Sequence, residues 1–324
     1  MSVRVGMIGV GGIGQHHLKG LLTDERVKVV AVCDVNQEAA AETAERIGAH
    51  GYTSWRELVE VEKLDALFVC VPPFAHEEIE ETAAAKGIHL FVEKPIGLDI
   101  QKVNEKQAAI EKAGIITATG YCLRYLDIVQ EAKAYLEGKS IALVRGHYLT
   151  KFVTTPWWRE MGKSGGQLVE QATHTLDMMR YLAGDIEKVY AQMALLVSRD
   201  IPNIDIPDVT SISMVFQSGA LGHLDTCFIQ PDHRTNVEIL GKDFRVMIDG
   251  KQLAIMDEQG ARTKESTVDM YVEQDRAFIT AIVTGDRSLI LSPYESATKT
   301  LEVTLAANQS AQEGKPVTIL RKGE

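Results

Sequence analysis

Residues 3–17 read VRVGMIGVGGIGQHH, and the parsing of this stretch decides the fold of the N-terminal half. VRVGMIG (3–9) is short, β-branched and apolar on both faces, as a strand covered on two sides must be. A turn follows, GVGGIG, in which Gly9, Gly11 and Gly14 match G-x-G-x-x-G, and a helix-like segment runs over 13–22. Glycine-rich turns are common, so the context decides. This one closes a strand, opens a helix, and is followed 20 residues after Gly14 by Asp34, at the end of the strand VKVVAVCD (27–34). A dinucleotide site needs that arrangement: Gly9 permits the tight turn, Gly11 lets a pyrophosphate reach the backbone, and Gly14 lets helix pack on strand. The helix N-terminus, with Gly12 and Ile13, offers N–H donors and partial positive charge to the phosphates. Asp34 can accept from both ribose hydroxyls. A 2′-phosphate would be repelled there, and DVNQEAA supplies no Arg or Lys to neutralise it, so NAD is preferred over NADP.

Outward from the turn, LDALFVCV (64–71), IHLFVE (88–93) and GIITATGY (114–121) repeat the buried-strand pattern. Helix-like segments near 36–47, 75–86 and 99–113 separate them. Continuous apolar strands alternating with helices predict a doubly wound parallel sheet. After Tyr121 the pattern changes to a helix near 124–137, a strand at 141–149, a helix at 166–183 and then hairpins. TSISMVF and ALGHLDTCF flank a QSG turn, and TNVEIL and FRVMID flank GKD, which predicts an antiparallel sheet. Helices near 269–284 and 293–313 follow. The division is therefore a cofactor domain over 1–121 and a substrate-binding and oligomerisation domain over 122–324.

At 324 residues the chain suits two domains, and 45% hydrophobic against 24% charged residues leaves room for both cores. A net charge of −11 without a basic block excludes nucleic acid and anionic membranes as general partners, leaving small molecules. No leader pattern and no bilayer-length apolar run precede or interrupt the strands, so a cytoplasmic protein is expected. Cys33, Cys70, Cys122 and Cys227 lie in strand-like segments without metal or redox spacing and read as reduced and buried. In VYAQMALLV (189–197) both faces are largely apolar, which predicts helices on one side and a second subunit on the other, in a homodimer or homotetramer.

FVEKPIG (91–97) puts Glu93, Lys94 and Pro95 after a greasy strand. In an open α/β sheet, ligands bind beyond the carboxyl ends of the strands. Glu93 and Lys94 therefore face the cofactor crevice, and Pro95 both ends the strand and restricts the lysine to extended conformations. Further on, TTPWWREMGKSGGQ (154–167) offers Trp157 as an apolar wall and Arg159 as a hydroxyl donor of a sugar site, with Tyr121 and Arg124 as further wall candidates. On the helix after it, Leu168, Ala172, Leu176, Met179 and Ala183 form an apolar stripe, and Glu170, His174, Asp177 and Tyr181 a polar one. Zinc at Glu170 and His174 lacks a third ligand, so no metal is expected.

GVGGIGQHH, VPPFAH (71–76), EKP (93–95) and GGQLVEQATHTLD (165–177) together resemble the Gfo/Idh/MocA oxidoreductases, the glucose–fructose oxidoreductase and inositol dehydrogenase group, over nearly the whole chain. The resemblance implies a Rossmann domain followed by an α/β domain with an open, mainly antiparallel sheet. It also implies a Lys94–Pro95 peptide that is often cis, and places Val71, Pro72, Pro73 and His76 near the nicotinamide. His17 and His76 themselves read as structural. Glu170 and His174 occupy the positions of an acid and a catalytic histidine, although the acid is commonly Asp. The activity expected is NAD-dependent oxidation of a secondary hydroxyl of a sugar, inositol or related polyol. His174 would be the general base, Lys94 the group that stabilises the alkoxide, and Glu170 a ligand of a neighbouring hydroxyl or of the histidine. Two alternatives remain at this point: bound NAD used for transient oxidation in glycoside cleavage or epimerisation, and an NAD-binding sensor without turnover.

Overall fold

A computed structural model describes residues 2–319. The chain divides into two compact units that are not consecutive segments. One holds the residues up to Tyr125 together with Asp269–Thr298, and the other Leu126–Val268 together with the chain from Lys299 on. The boundary read after Tyr121 thus lies just inside the first unit, and a helix that the sequence assigned to the second belongs to the first. Its side chains explain this: Phe278, Ile279 and Ala281 pack in one core cluster with Val5, Met7, Leu18, Phe68 and Phe91.

The first unit contains a six-stranded sheet, all of it parallel, made of β1 (Val3–Ile8), β2 (Val27–Cys33), β3 (His50–Tyr52), β4 (Ala66–Val69), β5 (His89–Val92) and β6 (Thr117–Thr119) in the order β3-β2-β1-β4-β5-β6. Helices α1 (Gly12–Leu21), α2 (Gln37–Ile47), α3 (Trp55–Val61), α4 (Ile79–Ala85) and α5 (Ile100–Ala113) connect the strands. The sequence pattern misses β3 and α3, because β3 is three residues long, contains a glycine and is largely exposed, so it carries no buried-strand signature. Asn36 and Asp99 cap α2 and α5 by accepting from amides of the first turn. No side chain caps α1.

In the second unit α6 (Asp127–Leu136) leads into β7 (Ile141–Leu149), two one-turn helices, α7 (Met161–Ser164) and α8 (Gln167–Glu170), and α9 (Thr173–Ala183). The sheet is completed by β8 (Ile186–Ala194), β9 (Val209–Phe216), β10 (Leu221–Cys227), β11 (Arg234–Gly241), β12 (Phe244–Asp249), β13 (Gln252–Asp257), β14 (Gly260–Glu265) and β15 (Val317–Thr318). Its order is β14-β13-β12-β11-β7-β10-β9-β8-β15, antiparallel except for the β7–β10 pair. Helix α10 (Met270–Thr284), which returns to the first unit, is capped by Asp269, and α11 (Tyr294–Glu313) carries the chain from the first unit into the second.

Register makes this sheet two-faced. Val189, Met214, Gly222, Val144, Ile239, Val246 and Ile255 line up across seven strands, and all are buried. The adjoining row, Tyr190, Ser213, His223, Arg145, Glu238, Met247 and Ala254, has no buried member. Helices α6 and α9 lie on the strands of this sheet within the unit. The stretch 189–197 is therefore not a strand with two apolar faces. It alternates buried and exposed from Val189 to Gln192, and beyond Ala194 the chain turns around Asp208, whose carboxylate accepts from the amides of Leu196, Val197 and Ser198. Among the described residues no helix is long and apolar enough to cross a membrane.

Candidate active site

The order β3-β2-β1-β4-β5-β6 reverses direction between β1 and β4, and the glycine turn after β1 lies at that switch point, where ligands of open α/β sheets bind. Two of its glycines are required by the protein itself. A Cβ on Gly9 would sit 2.4 Å from the carbonyl oxygen of Cys70 at the end of β4, and one on Gly14 would sit 2.1 Å from the carbonyl oxygen of Gly9. Gly11 and Gly12 differ: a Cβ on either meets nothing within 4 Å. The turn thus leaves open space over Gly11 and Gly12, beside α1 amides that no side chain caps, a fit to a pyrophosphate. Asp34 is fixed beside it, its Oδ2 accepting from Val10 N at 3.0 Å and its Oδ1 from Asn36 N at 2.9 Å. These residues fit a dinucleotide: amides for the phosphates and an oriented carboxylate for the ribose.

At the end of β4, the Val71 side chain would lie 3.3 Å from a Gly9 Cβ, which places VPP beside the turn. Pro72 and the buried Pro73 lead into a short 3₁₀ turn. His76 is buried and meets Glu80 at 2.5 Å, and the other oxygen of Glu80 takes Lys106 Nζ at 2.6 Å. At the end of the neighbouring β5 stands Lys94, half-buried, joined to Pro95 by a cis peptide. Glu93 departs from expectation. Its carboxylate is 4% exposed and turned into the unit, with Oε1 at 3.0 Å from His17 Nε2 and Oε2 accepting from Lys94 N at 3.0 Å. His17 Nδ1 lies 2.9 Å from both carboxylate oxygens of Asp275 on α10. Burial alone would lower the imidazole, but Asp275 and Glu93 outweigh it and raise it to about 10. Asp275 is a residue the sequence reading did not single out.

In the second unit the helix expected over 166–183 is broken. Helix α8 stops at Glu170 and α9 starts at Thr173, so Glu170 and His174 stand on successive helices, not one turn apart on a common stripe. Trp158 Nε1 donates to Glu170 Oε2 at 2.9 Å, which fixes that carboxylate. Burial, together with Glu170, pushes the Tyr148 hydroxyl well up from its ordinary value. His174 is half-buried. Asp177 is 1% exposed and accepts from Thr300 Oγ1 at 2.7 Å, and Tyr181 pairs with Gln130, so the polar stripe is not a solvated face.

The tryptophans divide their duties. Trp158 is core, edge-on to Phe152 and Phe228. Trp157 is half-buried against the same cluster. Arg159 donates to the carbonyls of Pro202 (3.0 Å) and Thr154 (3.4 Å), and the buried Arg124 to Leu291 O (2.6 Å) and Ser296 Oγ (3.0 Å). Both guanidinium groups thus hydrogen-bond within their own units; from the sequence Arg159 is expected to donate to a substrate hydroxyl and Arg124 to line the substrate wall. Tyr121 is 3% exposed, beneath Arg124. The four cysteines are free and buried. Burial pushes the Cys33 thiol up to about 11 and the Cys122 thiol to about 12, so neither forms a thiolate near neutrality.

A parallel sheet with a dinucleotide cradle at its switch point and a lysine ending the next strand but one is the make-up of a nicotinamide-dependent oxidoreductase. Family models agree over both units. Residues 3–121 match the oxidoreductase family with an NAD-binding Rossmann fold, and residues 130–247 match the GFO/IDH/MocA C-terminal domain. The chain belongs to the GFO/IDH/MocA oxidoreductase family. Among its relatives, the myo-inositol 2-dehydrogenase of Thermotoga maritima is 28% identical, over 97% of this chain and 98% of that protein. The scyllo-inositol 2-dehydrogenase (NAD(+)) of Bacillus subtilis is 24% identical, over 98% and 96%. A crystal structure of a probable dehydrogenase from Thermotoga maritima superposes with a TM-score of 0.83 at 26% identity, covering 98% of each chain.

Proposed function

We propose that this oxidoreductase oxidises a secondary hydroxyl of a sugar, inositol or related polyol with NAD. The observation that carries the reading is Lys94: a half-buried ammonium at a strand end on the cradle side of the sheet, with its main chain tied down. Bound NAD supplies the hydride acceptor. Lys94 donates to the reacting oxygen and stabilises negative charge as it develops there. His174 takes the hydroxyl proton, as an imidazole can near neutrality. Glu170, oriented by Trp158, accepts from a neighbouring hydroxyl, and Trp157 covers C–H surface. The test is a panel of inositols and aldoses incubated with NAD while NADH absorbance is followed. Turnover of one stereoisomer is the expected result. Tightly retained cofactor with no net NADH from any compound would replace this reading by transient oxidation.

Cofactor choice is a separate prediction. Wild-type protein binds NAD more tightly than NADP, and Asp34→Ala narrows the gap by weakening NAD roughly 10- to 100-fold, the worth of about 1.5–3 kcal/mol for hydrogen bonds to a charged acceptor. Isothermal titration of both cofactors checks it, and a wild-type preference for NADP would refute the role given to Asp34.

The second sheet face supports an assembly. Its mixed row of Tyr190, His223, Arg145, Glu238 and Met247, with Leu221 at 57% and Met256 at 49% exposure nearby, suits a face shared with a second copy, as a homodimer or homotetramer. Light scattering at micromolar concentration should return a multiple of 35.7 kDa. The single mass would count against it.

A further inference from the structure

We propose that His17 and Asp275 are positioning residues for Lys94, acting through the carboxylate of Glu93. The proposal rests on the reading of Lys94 as the group that binds the reacting hydroxyl.

Three side chains from three distant places in the sequence form one buried chain. Asp275 of α10 meets His17 Nδ1 at 2.9 Å, His17 Nε2 meets Glu93 Oε1 at 3.0 Å, and Glu93 Oε2 accepts the Lys94 main-chain N–H at 3.0 Å. Exposures of 4%, 0% and 4% for Asp275, His17 and Glu93 put the whole chain out of water. Every contact in it is determined. An imidazole flanked on both nitrogens by carboxylates can donate to both only as the imidazolium. The Glu93 carboxylate lies over Gly120, where a Cβ would stand 2.3 Å from Oε1. The Lys94 amide lies two residues past Val92, the last of β5, and the Glu93 side chain supplies its acceptor.

Such a chain is costly. Well-packed apolar residues of similar volume often serve stability as well as a buried ionic cluster, or better. What the ions add is direction: each hydrogen bond fixes the next group, and the last of them fixes the main chain from which the lysine projects. The other groups around His17 leave its charge alone near neutrality. Phe68, Phe91 and Tyr271 pack on the ring, and His16 stacks edge-on against Tyr271. The thiols of Cys70 and Cys122, which lie in the field of Glu93, are held protonated by burial. Asp275 and Glu93 hold His17 up at about 10, so the imidazole keeps its proton near neutrality, while burial pushes the Asp275 carboxyl up from its ordinary value.

The test uses the full-length holoenzyme with its best inositol or aldose and three variants. Glu93→Gln keeps shape but has one acceptor oxygen for two donors. Asp275→Ala removes the acceptor of His17, and Asp275→Asn retains one. Glu93→Gln and Asp275→Ala should lower kcat about 10- to 100-fold, the scale of a misplacement near 1 Å, while the Kd for NAD stays within about threefold. Asp275→Asn should stay within about threefold of wild type in both. A second readout needs no turnover: the pH profile for reductive methylation of Lys94 by formaldehyde with a cyanoborohydride as hydride donor, followed by peptide mass spectrometry. It should shift in Glu93→Gln and Asp275→Ala and not in Asp275→Asn. If wild type oxidises no polyol, the proposed reaction fails by itself and methylation alone decides the brace. If Asp275→Ala does not fold, Glu93→Gln decides. A folded Glu93→Gln protein with wild-type kcat and wild-type Lys94 methylation overturns the proposal, as does a loss of NAD affinity equal to the loss in kcat.

Discussion

Lys94→Ala lowers kcat about 10²- to 10³-fold and leaves the Kd for NAD within about threefold, the loss being that of one preorganised donor to a developing oxyanion. The cofactor contacts proposed for the first unit lie elsewhere: α1 amides over Gly11 and Gly12 for the pyrophosphate, Asp34 for the ribose. Truncating the lysine also leaves its main-chain amide on Glu93, so the strand end keeps its shape. His174→Ala, which removes the proposed base, lowers kcat by about 10²- to 10⁴-fold and abolishes the rise of kcat/KM with pH near neutrality. The double variant should lose less than the product of the two factors, because both groups serve one proton-coupled step. Steady-state kinetics on the best polyol, with NAD binding measured separately, checks all three statements. A Lys94→Ala protein with near-normal kcat and collapsed NAD affinity would make the lysine a cofactor clamp and end the mechanism proposed here.

What the sequence made legible follows from which forces are local. The parallel sheet of the first unit was readable because strands covered on both faces must be continuously apolar, and VRVGMI, VKVVAVC and HLFV are. The glycine turn was readable because G-x-G-x-x-G between a strand and a helix is a pattern confined to a few consecutive residues, although the atom that requires Gly9, the Cys70 carbonyl oxygen, is remote in sequence. β3 and α3 were not, since HGY carries no periodic signal. Glu93 was misjudged for a different reason. Its position at a strand end was right, but the direction of its side chain depends on His17 from α1 and Asp275 from α10, partners remote in sequence. A signal for Asp275 did exist: it shares a helix face with Phe278, Ile279 and Ile282, and an acid on a core stripe must have a buried partner. Arg159 read as a sugar-site residue because a polar loop rich in aromatics looks available, whereas the loop folds over its own core of Trp158, Ile206 and Phe228. The break between Glu170 and Thr173 left no mark in the 3.6-residue pattern, which continues through it in register.

The glycines of the first turn yield the sharpest separation of folding from binding. Gly14→Ala should cost stability in the absence of any cofactor, because its Cβ would meet the Gly9 carbonyl oxygen at 2.1 Å. That carbonyl has little freedom to retreat: Gly9 is at φ +89° and its amide is bonded to Cys33 O at 2.8 Å. Helix α1 must shift instead. At about 1–3 kcal/mol for overpacking and about 2–4 °C per kcal/mol, the apo Tm should fall by roughly 2–12 °C. Gly9→Ala should do at least as much, since it adds an unfavourable positive φ to a contact of 2.4 Å with Cys70 O. Gly11→Ala is the informative contrast. Its φ of −70° suits any residue and its Cβ would meet nothing within 4 Å, so the apo Tm should hold to within about 1 °C. The space that methyl fills is the space the pyrophosphate needs in order to reach the backbone. The Kd for NAD should therefore rise about 10- to 100-fold, the equivalent of roughly 1.4–2.8 kcal/mol. Thermal melts of the apo-protein and NAD titrations of the three variants separate the two effects. A Gly11→Ala protein that binds NAD like wild type would mean that the phosphates lie elsewhere, and the cradle built on this turn would have to be given up.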